Sequence, residues 1–311
     1  MQAEQFSPKN LSKTVVVIAG PTGVGKTAVA IELAKFFKTE IISADSRQCF
    51  KELNIGVARP SVEELNTIPH HFIASHSIHD KVDAIVFEQY ALQKADHLFQ
   101  SHDTIIMAGG TGLYIKSFCE GMDDIPEVPV NVREQIMTSY KEYGLKWLQE
   151  TVQQKDPEFY NVGEIQNPQR LMRALEVVES TGQSILHFRK GDKAIRNFNI
   201  IKIGLELPKE ELQRNIYART DKMIEHGLVN EVKNLLPFRN LNALQTVGYS
   251  EVFDWLDNKI SFEKAVEKIK VNTRQYAKRQ ITWFKKDKEI KWFNPSQSSL
   301  IKEYISHYLS Q

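Results

Sequence analysis

Apolar positions along the first third of the chain fall in two rhythms. Short unbroken runs, Thr14–Ala19, Glu40–Ser43 and Thr104–Ala108, predict strands buried on both faces. Between them, Lys26–Phe37 and Val82–Phe99 predict helices, the second with Ile85, Ala91, Leu92, Ala95 and Phe99 at helical spacing. Alternating strand and helix predicts a parallel sheet covered on both sides. From Asp123 to about Phe198 the strand signal vanishes. That stretch offers only helix candidates, Val132–Lys141, Leu145–Lys155 and Pro168–Ser180. Gly121, Pro126 and Pro129 punctuate its start, Gly191 and Asp192 its end. A strand-like run, Asn199–Leu207, follows, and the remainder reads as helices, the strongest being Ser261 to about Lys286. The expected architecture is α/β, a parallel sheet flanked by helices. Residues 1–122 and 199–311 would form the core domain, and 123–198 a helical insert.

A chain of 311 residues that is 41% hydrophobic can bury a substantial core and accommodate an insert. The formal net charge of +1 names no partner, but charge is unevenly spread. Glu40–Asp103 has five Lys/Arg against ten Asp/Glu, whereas Lys264–Lys291 has ten against three. A basic face is compatible with a polyanionic partner or with an ordinary solvated helix. Two cysteines, Cys49 and Cys119, are too few for a disulfide framework or a zinc site. The polar start MQAEQFSPKNLSK lacks the pattern of a secretory signal, and no apolar run is long enough to span a bilayer; a cytoplasmic protein is expected.

Gly20-Pro21-Thr22-Gly23-Val24-Gly25-Lys26-Thr27 matches G-x-x-x-x-G-K-[ST] between a predicted strand and a predicted helix, the context the motif requires, so the expected sheet is P-loop NTPase-like. Its glycines turn backbone N–H groups toward a phosphate. Lys26 supplies a point charge and Thr27 a ligand for magnesium (Mg2+). Phosphoryl-transfer enzymes of this kind place a second magnesium carboxylate at the end of a neighbouring strand. Here DTIIMA runs instead into Gly109-Gly110-Thr111-Gly112. The available acid is Asp45, just past the second strand, which equally suits a turn or a helix cap.

GPTGVGKT, SADSRQCF, NIGVARP, PHHF, GGTGLYIKS, NPQRLMRALEV, VGYSE and TRQYAKRQITWF occur in this order over residues 18–284. Together they resemble the bacterial tRNA dimethylallyltransferases, which prenylate an adenosine in the tRNA anticodon loop. The resemblance implies that the loop binds the diphosphate of dimethylallyl diphosphate, a leaving group, and that N6 of the adenosine 3′ of the anticodon accepts the five-carbon group. It implies a base role for Asp45 alongside catalytic Lys26, and donor binding by Gly20–Thr27 with Arg219. It implies tRNA contacts for Asp45, Ser46, Arg47, Gln48, Thr111 and Arg133, and for Gln169, Arg170, Leu171, Met172 and Arg173. Taken alone, QRLMRALEV would read as an ordinary amphipathic helix. The insert would hold the anticodon stem-loop, with Arg274, Lys278 and Arg279 on RNA backbone; Tyr276 and Trp283 would ordinarily face a core. The role of His70 and His71 is open between capping and core hydrogen bonds. A monomer is expected. Gly23 stands where the family usually has Ala, which would loosen the loop; Cys49-Phe50 replaces Val-Tyr and Arg59 replaces Lys. Three other readings compete: an adenylate isopentenyltransferase acting on free nucleotide, a P-loop small-molecule kinase, and a non-catalytic RNA-binding protein.

Overall fold

The computed structural model describes residues 12–310. The first eleven residues, most of the polar start read above, lie outside that range. The chain divides into two compact units, one formed by the residues up to Cys119 together with those from Ile195, the other by Glu120–Ala194.

The first unit is built on a sheet. Its strands are β1 (Thr14–Ala19), β2 (Ile41–Ser43), β3 (His70–His71), β4 (Thr104–Gly109), β5 (Asn199–Leu205) and β6 (Lys291–Phe293). Among the described residues they form one sheet in the order β3-β2-β4-β1-β5-β6, every pairing parallel. The unbroken valine run of β1 follows from its central place. Val15 and Val17 enter one core cluster, Val16 and Ile18 the other, so consecutive side chains are buried on opposite faces. Each such aliphatic side chain contributes about 1.5–3 kcal/mol by leaving water. Helices α1 (Lys26–Phe37), α2 (Val62–Thr67), α3 (Ala84–Leu98) and α4 (Gly112–Glu120) occur in the first segment. Asp83 caps α3 by accepting from the N–H groups of Ile85 and Val86.

The second unit is helical throughout its described elements: α5 (Val130–Lys155), α6 (Pro157–Val162) and α7 (Pro168–Thr181), with a short 3₁₀ turn at Ile185–His187. The two helices predicted across 132–155 appear as one run broken at Gly144, whose φ of 76° is non-helical. Leu148, Val152, Phe159, Leu171 and Leu175 fill this unit's own core.

The chain then returns through β5 to α8 (Lys209–Glu225), α9 (Leu228–Asn234), α10 (Tyr249–Leu256), α11 (Phe262–Phe284), β6 and α12 (Ser298–Leu309). β3 and β6 escaped the hydrophobic pattern because two and three residues are too few to show a period. Other elements hold β3 and β6 in place. His71 Nε2 meets Glu40 at 2.5 Å beside β3, and buried Lys202 of β5 donates to Asp287 at 2.8 Å and Glu289 at 2.7 Å just ahead of β6.

Candidate active site

Strand register fixes where the chemistry gathers. Ala19 of β1 lies level with Gly109 of β4 and Gly204 of β5, and Ser43 of β2 with Ala108. The segments that follow β1, β2 and β4 therefore leave the sheet side by side at its carboxyl edge, the usual ligand position in such sheets.

The loop after β1 turns through left-handed glycines, Gly23 at φ 81° and Gly25 at φ 97°, before α1 begins at Lys26. Gly23 does more than loosen the loop. At this φ an alanine would be strained, and its Cβ would press to 3.0 Å from Ile216. Val24 is buried, fastening the loop to the core. Lys26 folds back to donate to the carbonyls of Gly20 at 3.0 Å and Pro21 at 2.8 Å. Burial brings its pKa down to about 8, with the charge of Asp45 pulling it up and that of Arg219 pushing it further down. Arg219, on α8, donates to the Thr22 hydroxyl at 2.5 Å, and burial lowers its pKa against the opposing pull of Asp45. Lys26, Arg219 and Asp45 thus share one electrostatic neighbourhood, two cations and one carboxylate.

Asp45 follows β2. Its Oδ1 accepts from the backbone N–H groups of Arg47 at 2.9 Å and Gln48 at 3.2 Å, so the turn-forming role is real. Both bonds fall on one oxygen, and Oδ2 takes no part in the turn. The neighbouring loop interlocks with this turn. Thr111 N–H donates to the Ala44 carbonyl at 3.2 Å, Ser46 N–H donates to Thr111 Oγ1 at 3.0 Å, and Thr111 Oγ1 meets Ser46 Oγ at 3.2 Å. Arg47 donates to the Asn242 carbonyl, and Gln48 to those of Val57 and Ala58. Where a phosphoryl-transfer enzyme would carry its strand-end carboxylate, β4 ends in Gly109, and a Cβ there would lie 2.1 Å from the Ala44 carbonyl oxygen. The backbone of Ala44 occupies that space.

Thr27 directly follows Lys26 at the start of α1. Among the described residues no group of three or more His, Cys, Asp and Glu side chains is arranged to hold a metal. A lone hydroxyl suits a magnesium ion that takes most of its ligands from substrate phosphate and water.

Residues 54–60 complete this side of the site. Glu231 of α9 accepts from the N–H groups of Asn54, Ile55 and Gly56 at 2.7–3.2 Å and from the Tyr249 hydroxyl at 2.5 Å. The Arg59 guanidinium donates to the carbonyls of Phe50, Lys51 and Leu53. A cavity of about 420 Å³ opens here, with Ile55, Leu65 and Met223 as apolar wall and Arg59, Arg219 and Lys222 as cations. Neither Glu231 nor Tyr249 was assigned a role from sequence, although VGYSE contained the tyrosine.

On α11, Arg274, Lys278 and Arg279 are exposed. Tyr276 and Trp283, each 37% exposed, do not face the core as a helix of this kind would lead one to expect. The Trp283 ring lies against the Gly112 backbone, and the Tyr276 hydroxyl meets the Thr111 side chain, where desolvation of that end of the side chain and the charge of Asp45 push its pKa up to about 12. Gln280, on the inner side of the same helix, reaches the phosphate loop itself.

The remaining predicted residues belong to the helical unit. Arg133 of α5 makes a two-pronged pair with Glu176 of α7, at 3.1 and 3.2 Å, and Arg173 adds a contact at 3.3 Å. Arg170 pairs with Glu164 at 3.0 Å, and Gln169 sits in the first turn of α7 under its Asn167 cap. Leu171 and Met172 are buried in the unit's core. For these two the amphipathic reading holds, leaving Gln169, Arg170 and Arg173 as the side chains open to a ligand. His70 and His71 serve β3: His70 Nδ1 bonds the Ile68 carbonyl while burial lowers its pKa, and His71 holds Glu40.

Comparison with known proteins shows the family. The chain is 44% identical over 301 residues to a tRNA dimethylallyltransferase of Cytophaga hutchinsonii, covering 97% of this chain and 99% of that one. Its fold is similar to the crystal structure of a tRNA isopentenylpyrophosphate transferase from Bacillus halodurans, with TM-score 0.71, 30% identity, and 96% and 97% of the two chains covered. It is also similar to a eukaryotic dimethylallyltransferase captured acting on tRNA, with TM-score 0.77, 26% identity, and 95% and 80% covered. Residues 48–287 match the family model described as IPP transferase, and the chain belongs to that family.

Proposed function

We propose that this chain transfers the dimethylallyl group of dimethylallyl diphosphate to N6 of the adenosine 3′ of the anticodon in tRNA, releasing diphosphate. The single observation that carries the reading is the pairing of a phosphate loop with Asp45 at the end of β2, while the end of β4 is closed to any carboxylate by the Ala44 backbone. The loop is therefore suited to hold a diphosphate that departs, without the second acid that γ-phosphoryl chemistry uses.

In this reaction the N6–C1 bond forms as the C1–oxygen bond breaks. Loop amides, Lys26 and Arg219 take up the charge that develops on the departing diphosphate. Mg2+, held by Thr27 and by the diphosphate itself, would add charge neutralisation there. The exocyclic amine is too weak an acid to ionise beforehand. As nitrogen bonds to carbon its proton becomes acidic, and Oδ2 of Asp45, the oxygen outside the turn, accepts it. The cavity beside Arg219, with Ile55, Leu65 and Met223 in its wall, would take the five-carbon chain of a donor whose diphosphate lies on the loop.

The acceptor is stacked within an RNA loop and has to be extruded before it can react. Gln169, Arg170, Arg173 and Arg133 of the helical unit, read from sequence as residues 123–198, would hold the stem-loop, and the exposed cations of α11 the RNA backbone. The enzyme would act as a monomer in the cytoplasm; among the described residues no helix is long and apolar enough to cross a membrane.

Mass spectrometry of nucleosides from tRNA incubated with the protein, dimethylallyl diphosphate and Mg2+ tests this. N6-dimethylallyladenosine at the position 3′ of the anticodon supports it. Comparable kcat/KM for free AMP and for an anticodon stem-loop would reassign the chain to the nucleotide-acting enzymes.

A further inference from the structure

We propose that Gln280 is a positioning residue of the donor site, its carboxamide fixing the Thr22 peptide of the phosphate loop against the end of β4. This rests on the loop being a diphosphate cradle. Ala277, Gln280 and Phe284 form the buried row of α11, three and four residues apart. A polar side chain in such a row costs stability unless both its ends are bonded, and here both are. Oε1 accepts from Thr22 N–H at 2.8 Å, across 258 residues of sequence, and Nε2 donates to the Gly110 carbonyl at 2.8 Å. A Cβ at Gly110 would lie 2.3 Å from Nε2, so a side chain there would displace the carboxamide.

Thr22 is consequently held at two points, its N–H by Gln280 and its hydroxyl by Arg219. It immediately precedes left-handed Gly23, where a change of peptide direction would turn the amides of Gly23 to Thr27 away from a bound phosphate. The bridge requires an acceptor at one end and a donor at the other, which only an amide or a protonated carboxylic acid provides in this shape. A carboxylate would keep the Thr22 bond, oppose the Gly110 carbonyl and place negative charge beside the diphosphate.

The test uses Gln280→Glu, which keeps the shape, and Gln280→Met, which keeps the volume without either bond. Donor KM, tRNA KM and calorimetric binding of inorganic diphosphate are measured in the full-length protein, each as a ratio to wild type at every pH. The ratio removes the wild-type pH dependence of the loop, the titration of Lys26 included. At about pH 8, Gln280→Glu should weaken donor and diphosphate binding roughly 10- to 100-fold with tRNA KM unchanged, the range expected when buried partners lose a hydrogen bond. Toward about pH 5.5 the introduced acid becomes neutral and the ratio should shrink. The ratio for Gln280→Met should stay raised and flat. A merely structural role would raise both KM values and weaken diphosphate binding together, and a misfolded Gln280→Glu would not regain affinity on acidification. Donor and diphosphate binding within about twofold of wild type at alkaline pH, or a loss in Gln280→Glu that does not vary with pH, would overturn the proposal. If wild type binds diphosphate but prenylates no tRNA, the functional reading fails while the calorimetric arm still decides the role of Gln280.

Discussion

The sheet unit and the helical unit place their cations by opposite means. In the sheet unit Lys26, Arg219 and the Gln280 amide converge on one loop from segments up to 258 residues apart, and two of the three are held by hydrogen bonds to the loop's own backbone. In the helical unit Arg133 and Arg173 rest on one carboxylate, Glu176, only 43 and 3 residues away. The Glu176 side chain is 8% exposed, whereas that of Arg133 is 42% exposed. Groups of the first kind are pre-organised and partly desolvated, which suits charge that develops in a transition state. Groups of the second kind present charge to solvent and suit attraction of a polyanion. Substitutions in the sheet unit should therefore alter chemistry and donor binding, and those in the helical unit RNA affinity and its salt dependence.

Asp45→Asn should produce the largest effect. Asparagine serves the Arg47–Gln48 turn as well as aspartate does. If Oδ2 accepts the N6 proton, kcat falls by about 10²- to 10⁴-fold, while tRNA affinity in a filter-binding assay changes far less. Near-normal kcat would reduce Asp45 to a turn residue. Next comes Leu171→Ala, which hollows the helical unit's core and should cost about 2–5 kcal/mol in a denaturant titration. A loss near zero would mean that Leu171 serves a ligand instead of the core.

The wild-type donor KM should climb as pH rises through about 8, where Lys26 sheds its proton and a cation of the cradle is lost, approaching tenfold per pH unit. The sign follows from burial, which disfavours the charged ammonium; initial rates at varied donor concentration across this range would show it, and a flat profile would contradict it. The smallest effects belong to Arg133→Ala and Arg173→Ala. Each should lower the slope of log affinity for tRNA against log salt by about one unit or less, with kcat unchanged. A large kcat loss would break the contrast between the two units.

Legibility in the sequence followed the same division. β1 and α1 stand at their predicted bounds, because an unbroken apolar run and a glycine-rich start are local signals. The phosphate loop was equally local. Its partners were not: the Gln280 bridge and the Glu231 contacts with residues 54–56 depend on chain segments meeting in space, which no spacing encodes. Gln280 could have been suspected from its apolar neighbours in the buried row of α11, since a lone polar residue at such a position implies a partner. Leu171 and Met172 show the reverse case, where the helical period identified core more surely than motif similarity identified ligand contact.

A loop at Gly20–Thr27 that holds a departing diphosphate cleaves no triphosphate. Quantifying diphosphate and ADP against prenylated adenosine, with tRNA, dimethylallyl diphosphate, ATP and Mg2+ all present, tests it directly. Equal amounts of diphosphate and product are expected, with no accompanying ADP; ADP released in step with each prenyl transfer would contradict the leaving-diphosphate role.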